Sequence, residues 1–193
     1  MPLVAIMNPA SGPGESPDPN YVAWMARLRK AGVTLLGYVT TSYGMKEASR
    51  VNQEVDRWVS WYRPDGIFYD EMAYETGHES YYRELDRYAK GKGLGLTVGN
   101  PGTEVREGYV GSLDVIILYE NAGLPELELL EGWHAPHGRG RWGILPYGVP
   151  AVDRGYLREA SRRVAYLYMT DRGLPDPWDL PPRYFADLVA ALD

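Results

Sequence analysis

Asp65-Gly66-Ile67-Phe68-Tyr69-Asp70-Glu71 runs from a turn signal through three strand-type residues into two adjacent carboxylates. Three other apolar runs end on polar residues in the same way: Val4–Met7 into Asn8, Val115–Tyr119 into Glu120-Asn121, and Ala165–Met169 into Thr170-Asp171. Buried strands of a parallel sheet read as short, nearly continuous apolar runs. In such sheets ligands bind beyond the carboxyl ends of the strands. The stretch therefore predicts an α/β fold organised around the end of the strand that carries Asp70 and Glu71.

The rest of the chain supplies matching units. Strands are predicted at Leu3–Met7, Thr34–Val39, Ile67–Tyr69, Leu94–Val98, Val115–Tyr119, Trp142–Pro146 and Ala165–Met169. Between them, helices are predicted at about 19–31, 46–62, 79–90 and 153–163, with a last one at 183–192. Asp18 is a suitable N-cap with Pro19 at the first helical position. Tyr21, Trp24, Met25 and Leu28 form an apolar stripe, and Gly32 is a helix terminator. Val51, Val55, Trp58 and Tyr62 line the second helix, and Tyr82 and Leu85 the third, which Gly91 is expected to end. Short helices are expected at 103–110 and 124–131, and 121–140 is the least regular part. Strand starts recur every ~20–30 residues, the length of a strand–helix unit, and repetition of that unit gives a parallel sheet.

Composition excludes several classes. The chain has 193 residues, enough for one domain with a full core. No run reaches the roughly 18–20 apolar residues of a membrane span. Cysteine is absent, so neither disulfides nor thiolate zinc sites are available. Met1-Pro2-Leu3-Val4 leads into a strand without a basic leader, which fits either a cytosolic chain or one that begins after a removed leader. A net charge of −6 argues against nucleic acid as partner. Arg158, Arg162 and Arg163 read as a solvated helix face. Gly91-Lys92-Gly93-Leu94-Gly95 precedes a strand rather than following one, so it is a turn and not a dinucleotide loop. The loop Asn8–Gly14 has two prolines and no Gly-Lys-Ser/Thr ending, so it is not a phosphate loop. Sixteen tyrosines and six tryptophans against two phenylalanines supply rings with an apolar body and a polar edge, suited to a sugar cleft or to a core.

A closed barrel needs eight strands and is usually about 250 residues long. With seven strands visible, either one hides in 121–140, or a first unit is absent, or the sheet is open.

Asn-Pro-Ala-Ser-Gly-Pro-Gly (8–14) with Asp-Pro-Asn-Tyr (18–21), then 35–44 (LLGYVTTSYG), 61–71 (WYRPDGIFYDE) and 168–185 (YMTDRGLPDPWDLPPRYF) resemble the spherulin-4-like family, in family order. The resemblance runs from residue 4 to about 190. It implies a (β/α)8-type TIM barrel, here incomplete, with seven strands and the first strand–helix unit missing. It implies one catalytic domain over 1–193. The implied activity is an endo-acting, retaining glycoside hydrolase that cuts α-1,4-linked N-acetylgalactosamine/galactosamine polysaccharide of galactosaminogalactan type, as found in biofilms. A secreted or cell-surface location, a polysaccharide as partner and no cofactor go with it. The edges of the first and last strands would call for cover, with a second copy as one means.

By the same resemblance the catalytic acids fall on Asp70, Glu71 and Glu120. Glycosidic cleavage needs one acid to protonate the leaving oxygen and one carboxylate to attack or to activate water. Neighbours on a strand point to opposite faces, so Asp70 should pair with Glu120 rather than with Glu71. Glu120 beside Tyr119 is expected to hold a raised pKa and serve as acid/base. Asp70 is assigned as nucleophile and Glu71 as support, with the first two exchangeable on sequence grounds. Asn8, Tyr38, Thr40, Asn100, Asn121, Tyr147 and Asp171 lie at or past strand ends and offer amides, hydroxyls and rings to a sugar; His134 is a further substrate contact. His134 and His137 have metal-compatible spacing, but no helical carboxylate accompanies them, so no metal site is expected.

Two other readings compete. One is a barrel enzyme with Asp70, Glu71 and Glu120 on Mg²⁺; it lacks its usual lysine base, since Lys30, Lys46, Lys90 and Lys92 fall in helices or loops. The other is a carbohydrate-binding barrel without turnover.

Overall fold

The structure is a computed structural model and describes residues 2–192. The strands are β1 (Val4–Met7), β2 (Thr34–Thr40), β3 (Gly66–Asp70), β4 (Leu96–Asn100), β5 (Val115–Tyr119), β6 (Trp142–Ile144) and β7 (Tyr166–Leu167). The helices are α1 (Pro19–Lys30), α2 (Ala48–Trp61), α3 (Glu79–Gly91), α4 (Arg154–Ala160) and α5 (Phe185–Leu192). Among the described residues the seven strands form one parallel sheet in sequence order, and β1 and β7 end it unpaired with each other. This is an α/β incomplete barrel of seven strands.

Alternation along each strand separates two layers. Ile67 and Tyr69 on β3, Ile116 and Leu118 on β5, and Trp142 and Ile144 on β6 pack outward with Val51, Val55, Trp58, Tyr82 and Leu85 of α2 and α3. Leu36, Phe68, Val98, Val115 and Ile117 form the inner cluster. Val4 and Ile6 alternate with outward-packed Ala5 and Met7, and both are exposed. The register brings Thr40, Asp70 and Asn100 level at the carboxyl ends of β2, β3 and β4.

The local signals account for most boundaries. Asp18 caps α1 by accepting from the backbone N–H groups of Asn20 and Tyr21, with Pro19 in the first turn. Asp153 caps α4 through the Tyr156 N–H. Several boundaries differ from the sequence reading, four of them instructively. β4 starts at Leu96, two residues late, because Leu94 still closes α3 through its bond to the Ala89 carbonyl; its apolarity reports core burial. The α3 cap falls at Lys92, and Gly93 takes the left-handed turn expected of Gly91. Segment 103–110 holds only a 3₁₀ turn at Glu107–Tyr109. β7 keeps two residues of the five expected.

Gly66 shows how tightly β3 is seated. A Cβ there would lie 2.0 Å from the Leu96 carbonyl oxygen and 2.8 Å from Leu36 Cδ2. The first neighbour is backbone held in the ladder and cannot rotate away. Gly66→Ala is expected to cost about 1–3 kcal/mol of stability, read as a lowered midpoint in chemical denaturation; an unchanged midpoint would refute the packing argument.

Candidate active site

Asp70 is the last residue of β3 and points to the inner face, two residues beyond Phe68. Its Oδ2 accepts from the Tyr38 hydroxyl at 2.6 Å, and its Oδ1 accepts from Asn100 Nδ2 at 2.8 Å. The Tyr38 ring is stacked on Phe68, 6.2 Å between centroids. Asn100 is buried, and its Oδ1 accepts the Gly102 N–H at 3.1 Å. That bond fixes the amide orientation, so its nitrogen must face the carboxylates. The same nitrogen donates to Glu120 Oε2. Trp178 Nε1 donates to Glu120 Oε1 at 3.0 Å. Four hydrogen bonds thus run in a row, Tyr38–Asp70–Asn100–Glu120–Trp178. The two N–H bonds of a planar amide diverge by about 120°, so acceptors ~2.9 Å from one nitrogen stand ~5 Å apart.

Glu120 reaches this row through an irregularity. Strict alternation from Ile117 would send residue 120 to the outer face. The β5–β6 register shifts between Ile117 and Tyr119, so that Tyr119 pairs with outward Ile144. Tyr119 accordingly packs on the outer cluster, and Glu120 turns inward. A bulge that re-aims a side chain is a recurrent feature beside functional sites. The Glu120 N–H, bonded to the Gly102 carbonyl at 3.1 Å, holds the turn.

Burial pushes the Glu120 carboxyl above the usual carboxylate range; the Asn100 bond opposes this, the Asp70 charge adds to it, and the Trp178 bond opposes it. Burial first, then the hydrogen bond to Asp70 and the nearby charges of Asp70, Glu71 and Glu120, push the Tyr38 hydroxyl far up, so it stays protonated and remains a donor.

Glu71 departs from the expectation of opposite faces. Its backbone is left-handed, φ +50°, which ends the strand and lets its Oε2 accept from the Thr40 hydroxyl at the same strand end. A non-glycine residue there costs on the order of 1 kcal/mol. The Glu71 carbonyl accepts from the Tyr43 N–H at 2.6 Å and the Thr41 hydroxyl at 2.8 Å, and these bonds hold the conformation.

The remaining sequence candidates occupy different places. Asn121 accepts the Ala122 N–H on Oδ1 and the Tyr147 N–H on its carbonyl, joining the exits of β5 and β6. This sets the Tyr147 ring edge-on to Trp178, 6.3 Å away. Asn8 closes its own loop by accepting the Gly12 N–H at 2.9 Å. Asp171 accepts the Arg183 N–H at 3.1 Å and pairs with its guanidinium. His134 is wholly buried against Trp142, with Nδ1 3.3 Å from Glu104 Oε1, so it stands in the outer layer, away from the row. Trp178 was not among the candidates. It lies 58 residues from Glu120, inside the 168–185 stretch that carries part of the family resemblance, and that stretch was the signal that could have found it.

The model of the family described as spherulation-specific family 4 matches residues 1–192. Spherulin-4 of Physarum polycephalum is 40% identical over 124 residues, which is 63% of this chain and 37% of that protein; the chain thus spans well under two thirds of that relative. The crystal structure of Aspergillus clavatus Sph3 in complex with GalNAc superposes with a TM-score of 0.90 at 25% identity, covering 99% of this chain and 85% of that one. An endo-β-N-acetylglucosaminidase from Cordyceps militaris shares the fold at 10% identity, with a TM-score of 0.64.

Proposed function

Because the chain belongs to spherulation-specific family 4, we propose that it is a glycoside hydrolase that cuts α-1,4-linked N-acetylgalactosamine/galactosamine polysaccharide from within, with retention, and that residues 1–193 act as one catalytic domain. The observation that carries the reading is the single Asn100 amide between Asp70 and Glu120. An ideal amide spreads its two acceptor oxygens ~5 Å apart, and this supports a retaining rather than an inverting enzyme. Asp70 then attacks the anomeric carbon while Glu120 gives its proton to the departing glycosidic oxygen. A covalent glycosyl-enzyme results. Water cleaves it as Glu120, now ionised, takes the water's proton.

Glu71 adds negative charge beside the oxocarbenium-like centre. Tyr38 and Asn100 belong to the row and position its carboxylates, and Tyr147, beside Trp178, is the sugar-contact candidate next to it. The amino-sugar assignment draws on the GalNAc held by Aspergillus clavatus Sph3. A net charge of −6 suits a partly deacetylated, cationic polymer. The Mg²⁺ reading is weaker: amide and indole N–H groups already point at the carboxylate oxygens a cation would need, and among the described residues no three His, Cys, Asp or Glu groups converge as a metal site.

The test is to incubate the protein with galactosaminogalactan, with and without chelator, and to follow new reducing ends and the anomer released first. Chelator-resistant release of the α-anomer is expected. Release of the β-anomer would overturn retention, loss of activity in chelator would favour the metal reading, and binding without release would favour a carbohydrate-binding barrel.

A further inference from the structure

Trp178 stands at the far end of the hydrogen-bond row, and the cleavage chemistry uses only its N–H. The residue is carried by segment 171–184, which Asp171 closes at its base by holding Arg183. Neighbouring Pro177 is buried, and the Trp178 backbone N–H is held by Asp176 Oδ1 at 3.1 Å. Tyr147 meets the indole edge-on at 6.3 Å, and Tyr168 lies against it at 6.1 Å. With its N–H on Glu120, the ring is fixed in orientation, yet it is 39% exposed. A scattered exposed apolar side chain needs no explanation. A tryptophan locked to the edge of a catalytic carboxyl by its own N–H, with two tyrosines holding it, is a built surface.

The order of groups says which part of a substrate this surface meets. Asp70 attacks the sugar that stays on the enzyme, and Glu120 protonates the oxygen of the sugar that leaves. In the hydrogen-bond row Asp70–Asn100–Glu120–Trp178, Asp70 and Trp178 reach Glu120 from opposite ends of the order, Asn100 bonding one Glu120 oxygen and the indole the other. Pyranose rings present an apolar C–H face, and an indole face also attracts an ammonium group. We propose that the ring face of Trp178 is the platform for the galactosamine-type sugar on the leaving-group side of the scissile bond. This rests on the hydrolase reading above and adds a subsite to it.

The experiment compares Trp178→Phe with Trp178→Ala. Both lack the N–H to Glu120, and Phe keeps a ring. On an α-1,4-linked galactosamine/N-acetylgalactosamine oligosaccharide, Ala is expected to raise KM about tenfold over Phe. On α-N-acetylgalactosaminyl fluoride, whose leaving group is a single atom that leaves the platform empty, the two should agree within about twofold. Thermal unfolding of both variants separates a folding defect from a binding one. In the inactive Asp70→Asn background, calorimetry should show about tenfold weaker oligosaccharide binding for Ala than for Phe. Equal KM and equal binding for Ala and Phe, with hydrolysis intact, would overturn the platform alone. An Asp70→Asn protein that binds no oligosaccharide, from a parent that cuts none, would overturn the hydrolase reading and the platform with it.

Discussion

Glu120→Gln is expected to lower turnover of the polymer by about 10²–10⁴-fold, the usual contribution of a positioned general acid, and Asp70→Asn by at least as much. Both replacements are close in shape, so the fold should survive. Asn at 70 can still accept from Tyr38 but turns an amide toward Asn100, a loss of about 1 kcal/mol of hydrogen bonding. A thermal melt of each variant controls for this. The two roles separate on a substrate with an activated aryl leaving group. Departure then needs no proton, so Glu120→Gln should recover the first step and show a burst of released phenol, while Asp70→Asn should remain inactive. Near-normal polymer hydrolysis in either variant would overturn the pairing. A burst from the Asp70 variant and none from the Glu120 variant would exchange the roles.

The sequence made β3 and β5 legible because each is a continuous apolar run with an abrupt polar end, and that abruptness located Asp70 and Glu120. The caps at Asp18 and Asp153 were legible because capping is local chemistry. The bulge that turns Glu120 inward was not, since Val115–Tyr119 alternates nothing and its register depends on β6. Glu71 was misread for a related reason: the opposite-face rule holds only while the backbone stays extended, and the left-handed turn at Glu71 is held by Thr41 and Tyr43 from another strand end. His134 and Asp171 are polar residues near apolar runs, yet one is buried beside Trp142 and the other ties a loop to Arg183. Residue type alone does not separate those uses from sugar contacts. The Trp178–Glu120 contact was out of reach because nothing local in a proline-rich loop records a partner 58 residues away.

Asn100→Ala is expected to lower kcat about 10²-fold, the scale of a misplaced reacting group, and to move the alkaline limb of kcat/KM to higher pH. The sign follows from Glu120. As general acid it must enter the reaction protonated, so activity falls as pH rises through its pKa in the free enzyme. Burial and the Asp70 charge already hold that pKa above the carboxylate range, and the Asn100 bond pulls it back down by favouring the ionised form. Removing the amide removes the downward pull. It also leaves Asp70 and Glu120 facing each other without a shared donor, and two close carboxylates resist double ionisation. Both changes favour the protonated acid, so the limb moves up even as the maximum falls, because Asp70 loses one bond that kept it aligned. The Trp178 N–H still contacts Glu120, which limits the displacement. The measurement is a pH series of kcat and kcat/KM for parent and variant. A limb that stays in place, or moves to lower pH, would mean that Asn100 does not bridge the pair in solution, and the ~5 Å spacing inferred from it would fall too.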